Sequence, residues 1–262
     1  MDKCKEFRKK IKKEKAKIIG IQLIVAISFL LIWELLARYN IINSFLFSSP
    51  SKIIKLLIEN IKSKEIFIHI RYSLIETLIG LIIGTAIGII CAIILYLFKT
   101  LYKIFDPFLV ILNALPKTAL APILIVWAGT GMKGIITVAI SLSVIMTIIS
   151  AHNFFNSVDE EKVKMLKTFN ASRLQIFFKL VLPSNILNLI SILKINIGLT
   201  WVGVIVGEFL VSRFGIGYIV VYGGQVFKMD LVMMGILVLA ILTFFMYLFV
   251  ILLEKILKRK EK

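Results

Sequence analysis

The sequence has little of the side chains that carry enzyme chemistry, with two cysteines and two histidines in 262 residues. Cys4 lies in a basic stretch and Cys91 in an apolar one, so neither a disulfide nor a cysteine metal site is expected. His69 and His152 lie near the ends of apolar runs, where they are expected at the membrane interface rather than on a metal. The sequence contains no nucleophile paired with a base and no cofactor-binding motif. It therefore predicts no catalytic residues, no metal and no cofactor, and it argues against a membrane enzyme.

Acidic residues are also scarce: 15 Asp and Glu stand against 32 Lys and Arg, which gives a net charge of +17. In a soluble protein this excess would suggest nucleic acid, but here the basic residues gather at the ends of apolar runs, as the positive-inside rule describes. We therefore expect contact with membrane lipid and none with nucleic acid. The acids too are expected at span ends, namely Glu34, Glu76, Asp106, Glu208 and Asp230. Because proton-coupled carriers usually need acidic groups inside the membrane, the chain has no evident energy source of its own.

Apolar residues are abundant instead: they make up 59% of the chain, and the mean hydropathy is +0.96. A helix crosses the hydrocarbon core with about 20 apolar residues, and open strands are excluded there because their edges leave backbone groups unpaired. The sequence predicts an all-α membrane protein with six transmembrane helices, at about residues 18–36, 74–98, 104–127, 135–151, 185–207 and 231–253. Basic tails at 1–17 and 255–262 flank this membrane domain of residues 18–254. The positive-inside rule then predicts that both termini are cytoplasmic.

Two local patterns predict how helices outside and inside the membrane pack. Ser49 precedes a proline and begins an amphipathic helix, which is expected on the membrane surface or against the bundle. In the second span, Gly80, Gly84 and Gly88 recur every four residues, and Ala92 continues the row. Small residues at this spacing let another helix approach closely, so we expect tight packing within one subunit rather than a pathway lining.

The third predicted span is interrupted by prolines, which break the helical hydrogen-bond ladder, at Pro107, Pro116 and Pro122. Irregular backbone at membrane depth is tolerated where it faces protein or water. A lysine there is a functional candidate because charge in hydrocarbon is costly, although it could also extend to the interface. The candidate pathway residues are Lys117, Lys194 and Trp201. The two lysines suggest a positive interior suited to a small anion, and Glu208 is expected to pair with Arg213 rather than to act as a gate.

The long polar break in the second half of the chain, residues 157–183, is called here the polar hook. Ser157 and Ser172 each begin a sequence with the form of a capping box, so two short amphipathic helices are expected. Asn170 between them is expected in the left-handed conformation of a helix end, and Pro183 marks the next boundary. A surface feature of this shape suits docking into a groove on another protein.

The polar hook resembles the cytoplasmic EAA loop of ABC importer permeases. That pattern is E-A-A, three residues, a Gly, nine residues and I-x-L-P. Here Asn170 stands at the Gly, nine residues lead to Leu180, and Val181-Leu182-Pro183 completes the pattern. The E-A-A positions are occupied by Lys164-Met165-Leu166, a departure from the family.

Flanking segments resemble one branch of this family, the nitrate, sulfonate and taurine permeases. They are Asp106-Pro107, Leu115 to Pro122, Trp127 to Gly131, Trp201, Gly207-Glu208 and Gly215 to Tyr218. Lys194 stands where that branch usually has Arg. The resemblance covers about residues 45–254, and it identifies the chain as a member of the binding-protein-dependent transport inner-membrane family.

The resemblance implies a multi-pass cell-membrane protein with a MetI-like bundle that forms the pathway for a small solute, such as a sulfonate, taurine or nitrate. It implies three partners: a separate ABC ATPase that hydrolyses ATP, an external substrate-binding protein and a second permease copy, expected as a homodimer. The residues expected to couple the hook to the ATPase are Glu161, Val163, Met165, Leu166, Phe169, Asn170, Ala171 and Pro183. Two alternatives stay open: a permease for a vitamin or pyrimidine precursor, and a secondary transporter or channel that needs no ATPase.

Overall fold

A computed structural model describes residues 2–260 of the chain, without the side chains of residues 2–12, 15, 259 and 260. Residues 1, 261 and 262 of the two predicted tails lie outside the described residues. Helices account for 88% of the chain and the described part contains no strand, which confirms the all-α class. The helices are α1 (Asp2–Arg38), α2 (Ser44–Phe47), α3 (Pro50–Ser63), α4 (Glu65–Leu97), α5 (Lys99–Ala114), α6 (Ala121–Ala128), α7 (Met132–Asn156), α8 (Glu160–Thr168), α9 (Arg173–Ile176), α10 (Leu182–Ser184), α11 (Ile186–Val211), α12 (Ile216–Gln225) and α13 (Met229–Lys260).

By length and composition, five of these helices qualify as membrane spans: α1 from Ala16, α4, α7, α11 and α13 to Lys258. Helices α5 and α6, joined through a 3₁₀ turn at Lys117–Leu120, are bent by 89° and count together as a sixth. The bend follows Pro116, so the expected break of the third span is confirmed. Pro107, by contrast, lies inside the continuous helix α5.

The second span begins nine residues earlier than predicted, at Glu65 rather than at about 74. Charged residues in this stretch suggest an external segment, but Arg71 is exposed while Ile66 and Ser73 are buried, so the stretch is an amphipathic start of α4. Helix α3 begins as predicted, because the Ser49 hydroxyl caps its first turn by accepting from a backbone N–H, and the helix packs against α13 of the bundle.

The core of the bundle is formed by α4, α7 and α11, which pack against one another along most of their length. The glycine row of α4 lies on α7: a Cβ on Gly80 would be 2.9 Å from that of Ala139, and one on Gly84 or Gly88 would collide with Ser143 or Thr147. This confirms that the row mediates packing within the subunit, since only glycine permits so close an approach.

A buried polar contact joins the same three helices. The Asn196 side chain on α11 donates to Thr85 Oγ1 on α4 at 2.8 Å and to Thr147 Oγ1 on α7 at 2.7 Å. All three side chains are buried. Hydrogen bonds between helices contribute to their association in lipid, so the Asn196 contacts join the three core helices at one rotation and depth.

Two glycines on α11 give a matched test of this packing. A Cβ on Gly203 would lie 2.5 Å from the Ala139 Cα, whereas a Cβ on Gly198 meets nothing within 4 Å. We expect Gly203→Ala to destabilise the chain by about 1–3 kcal/mol, because backbone must move, and Gly198→Ala to leave it within about 1 kcal/mol. Thermal unfolding of both variants in the same detergent measures the difference, and equal melting temperatures would contradict this packing.

Candidate functional site

The first helix of the polar hook, α8, begins two residues later than the predicted capping box. Asp159 is the capping residue, and its carboxylate accepts the Glu161 N–H at 2.9 Å. Ser157 instead closes the preceding helix, because its hydroxyl donates to the Phe154 carbonyl at 2.9 Å. The cap of α8 is therefore the Asp159 carboxylate, whereas the sequence pattern predicts the Ser157 hydroxyl in this role.

The turn of the hook matches its prediction. Asn170 has φ of 57°, the left-handed conformation. The N–H of Ala171 donates to the Leu166 carbonyl at 3.1 Å, which satisfies an acceptor at the end of α8. Ser172 and Gln175 form the predicted capping box, in which each side chain accepts from the other residue's backbone N–H.

The last part of the hook stays helical. A π-helical turn at Phe177–Val181 leads directly into α10, and Leu182 before the proline keeps right-handed helical dihedral angles. Pro183 lies exposed at the start of that short helix, and the helical run ends two residues later at Asn185. The predicted boundary therefore lies at Asn185 rather than at Pro183, and Pro183 lies within a continuous helical run that follows a π-helical turn.

One side of the hook rests on the bundle. Val163, Leu166 and Ala171 are half-buried and pack against an apolar cluster around Phe155 and Phe177, whose rings meet edge to face at 5.2 Å. The resemblance implies that these three side chains couple the hook to an ATPase, which stays a prediction. The structure adds a contact within the chain, since the same side chains anchor the hook to the bundle.

The other side is open. The Phe169 side chain is 77% exposed, Met165 is 54% exposed, and Glu161 is exposed beside them. We call Glu161, Met165 and Phe169 the docking face. Large apolar side chains that stand out from a polar segment are typical of a surface that another protein covers.

The bent pair α5–α6 carries the first candidate pathway residue. Lys117 is half-buried in the 3₁₀ turn, where its ammonium group donates to the Asn113 carbonyl at 3.3 Å and to Asn113 Oδ1 at 3.2 Å. Among the described side chains no carboxylate lies within ion-pair distance of Lys117. Its charge is thus solvated by oxygens but not neutralised.

The other two candidate pathway residues lie in different surroundings. Lys194 on α11 forms an ion pair with Glu254 on α13 at 2.5 Å, and Glu254 also binds Lys258 at 2.6 Å. Trp201 is 3% exposed within an apolar cluster that includes Leu81. The sequence suggests two positive charges in the interior. Because Lys194 is paired with Glu254, only the charge of Lys117 is left without a counter-ion among the described side chains.

A cluster of polar groups at the opposite end of the bundle from the hook is not predicted by the sequence. Glu76 on α4 and Glu208 on α11 are both buried. Glu208 lies in the last turn of α11, as expected of an acid at a span end, whereas Glu76 lies well inside α4. Glu208 does not pair with Arg213, which is exposed; it accepts from Ser73 Oγ and from the Gly217 N–H, each at 2.5 Å. The only signal in the sequence was two acids next to apolar runs, and nothing local showed that residues 132 positions apart would meet.

Comparison with known proteins decides the family. The family model described as "Binding-protein-dependent transport system inner membrane component" matches residues 84–262. The chain belongs to this family. It is therefore a multi-pass membrane component of an ABC transporter, a transport subunit whose ATPase is a separate partner, and this excludes the alternative of a secondary transporter or channel.

The similar curated proteins include permeases of the taurine and sulfonate branch that the sequence resembles. A probable ABC transporter permease protein of Haemophilus influenzae is 26% identical over 89% of this chain and 94% of its own length. The taurine transport system permease protein of Escherichia coli is 24% identical over 84% of this chain and 82% of its own. A putative aliphatic sulfonates transport permease protein of Bacillus subtilis is 25% identical over 86% and 81%.

A solved structure agrees with the fold. The membrane chain of an inward-facing MetNI methionine ABC transporter superposes with a TM-score of 0.66 at 16% identity, over 73% of this chain and 97% of that one. The predicted MetI-like bundle is thus confirmed as the architecture of the permease.

Proposed function

We propose that this permease forms the pathway for a small organic or inorganic anion of the sulfonate, taurine or nitrate class, and that it works as a homodimer. Taurine and sulfonate permeases are among its relatives, and a nitrate import permease of Leptolyngbya laminosa is 25% identical over 46% of this chain. The assignment of an anionic cargo rests on Lys117, an uncompensated cation at a break in a membrane helix.

We place both termini, the polar hook and its docking face on the cytoplasmic side, and the cluster around Glu208 on the external side. The hook and the opposite cluster lie at the two ends of α11, which crosses the bundle once. Basic residues concentrate at the termini and beside the hook, as the positive-inside rule requires of cytoplasmic segments. The ATPase then binds the docking face, and its two nucleotide states favour different tilts of the helices that carry the hook.

Replacing Lys117 with Met tests the anion pathway. We expect Lys117→Met to lower ATP-dependent uptake of the anion about tenfold, because a hydrogen bond to a charged group contributes about 1.5–3 kcal/mol. Uptake of labelled taurine, a longer sulfonate and nitrate is measured in vesicles that hold the permease with its ATPase and binding protein.

Two variants serve as controls. Lys117→Arg keeps the charge and should keep most of the uptake, and Lys194→Met should change it little, because Lys194 is already paired with Glu254. If Lys117→Met transports all three anions at the parent rate, the anion assignment of the bent pair is wrong.

A neutral precursor is the second candidate cargo. A formylaminopyrimidine transport permease protein of Halalkalibacterium halodurans is 26% identical over 72% of this chain, and a riboflavin transport system permease protein of Chloroflexus aurantiacus is 28% identical over 59%. The pairing of Lys194 favours this candidate, because it removes one of two positive charges from the interior. A neutral cargo predicts uptake that Lys117→Met does not alter.

A further inference from the structure

Two buried glutamates belong to one cluster between α4 and α11. Glu76 is 2% exposed and Glu208 is 1% exposed. Ser73, one turn before Glu76 on α4, donates to Glu208, so the two carboxyl groups are neighbours in this cluster. Two ionised carboxylates repel each other and neither can donate a hydrogen bond to the other, so a proton on one of them stabilises the pair.

No cation nearby replaces that proton. His69 is engaged with the Gly215 backbone, whose N–H donates to His69 Nδ1 at 3.1 Å, and its ring stacks on Tyr218. The charged side chains on the surrounding elements are exposed or half-buried, and within the described part of the chain none forms an ion pair with either glutamate: Glu65, Arg71, Lys133, Arg213, Lys228 and Asp230. Two buried negative charges without a counter-ion would cost several kcal/mol each.

The surrounding donors show which glutamate carries the proton. Glu208 accepts from the Ser73 hydroxyl and from the Gly217 N–H, so its carboxylate is satisfied in the ionised form. Glu76 Oε2 has no donor among the described residues. A protonated Glu76 needs none, because it donates to Glu208.

We propose that Glu76 and Glu208 form a proton-binding site, in which a protonated Glu76 donates to an ionised Glu208. The site fastens the start of α12 to α4 and α11. Glu208 holds Gly217, and Ser73 accepts the Ile216 N–H at 2.8 Å while it donates to Glu208. Gly215 has φ of 107°, and a Cβ there would collide with the Glu208 carboxyl, so the turn is built around this group.

The site makes the position of α12 depend on pH. Below the pH at which the pair loses its proton, the hydrogen bond holds and the turn at Gly215–Gly217 stays closed. As the pH rises through that point, two negative charges face each other in a buried site, and the turn opens to let water reach them. The stabilisation is thus present at low pH and is lost as the pH rises.

Infrared spectroscopy of the full-length chain in lipid nanodiscs detects the proton directly. At neutral pH, exposed acids are ionised, whereas we expect one protonated carboxylic C=O band from the buried pair, and this band should disappear as the pH is raised. The band should be absent in Glu76→Gln. A spectrum of the unsubstituted chain without such a band would overturn the proposal, even if the variants fail to fold.

Labelling of a buried position measures the opening. Ile216→Cys places a thiol at a fully buried position beside the site, in a background with Cys4→Ser and Cys91→Ala. The reaction rate of this thiol with a maleimide is measured at about pH 7 and at about pH 10, with Glu76 present and with Glu76→Gln added. We expect the increase in rate between the two pH values to be about tenfold larger with Glu76 than with Glu76→Gln. The glutamine amide donates to Glu208 at every pH, and this comparison cancels the ionisation of the thiol itself.

Glu208→Gln is the matched variant with the opposite expected result. Its amide presents one donor where the native carboxylate offers two acceptors, so either Ser73 or Gly217 loses its partner. We expect fast labelling of the Ile216→Cys thiol at every pH. The assignment of the proton would be contradicted if the labelling rate changed equally with pH with and without Glu76→Gln. It would also be contradicted if Glu76→Gln and Glu208→Gln gave the same labelling rates.

Discussion

Phe169→Asp is expected to lower ATP-driven uptake about tenfold or more while the amount of chain in the membrane stays unchanged. The Phe169 side chain is 77% exposed, so the substitution disturbs no packing within the chain. It does place a charge on the docking face, where the ATPase would bury it without a partner. Uptake and substrate-stimulated ATP hydrolysis are measured on vesicles that contain the whole transporter.

Two variants separate loss of docking from loss of folding. Phe169→Leu keeps an apolar side chain and should retain most of the uptake. Leu166→Asp should reduce the amount of inserted chain as well as uptake, because Leu166 packs against the apolar cluster beneath the hook. Normal substrate-stimulated hydrolysis in Phe169→Asp would show that the docking face does not couple the two proteins.

Asn196→Asp is expected to prevent correct assembly of the bundle. The Asn196 amide donates to two threonine hydroxyls in the centre of α4, α7 and α11, and an ionised aspartate has no hydrogen to donate. A charge at the centre of a membrane helix costs about 3 kcal/mol on insertion scales, to which the two lost hydrogen bonds add. We expect most of the variant chain to be degraded or extracted by mild detergent as aggregate, measured by fluorescence-detected size exclusion.

Asn188→Asp provides the control for this variant. It makes the same chemical change on the same helix, but in the first turn of α11, where a negative charge interacts favourably with the helix dipole. We expect Asn188→Asp to be inserted in parent amounts. If both variants elute as the parent does, the three-helix contact at Asn196 does not determine the assembly.

Features encoded over a few residues could be predicted from the sequence. The cap at Ser49, the left-handed Asn170 and the capping box at Ser172 are each determined by residues within one turn. The glycine row of α4 was equally clear, because its four-residue spacing places it on one helix face. The resemblance to permeases supplied the rest of the architecture.

Features that depend on distant residues could not be predicted. Lys194 meets Glu254, which is 60 positions away, and Glu76 lies in one buried cluster with Glu208 of another helix. Hydropathy marks all four as charges near apolar runs, but it does not show which helix faces which. The orientation of the hook could not be predicted either. In a half-exposed helix, the spacing of apolar residues alone does not show that Leu166 faces the bundle and Phe169 faces outward.

Photo-crosslinking from the docking face tests the central claim most directly, namely that the polar hook grips an ATPase. Benzoyl-phenylalanine takes the place of Phe169 in one sample and of Phe227 in another; both native rings are exposed, the first in the hook that precedes α11 and the second between α12 and α13. After irradiation of native membranes, the covalent products are identified by mass spectrometry. The account predicts an adduct with an ABC ATPase from position 169 and none from position 227. An ATPase adduct from position 227 alone would contradict it.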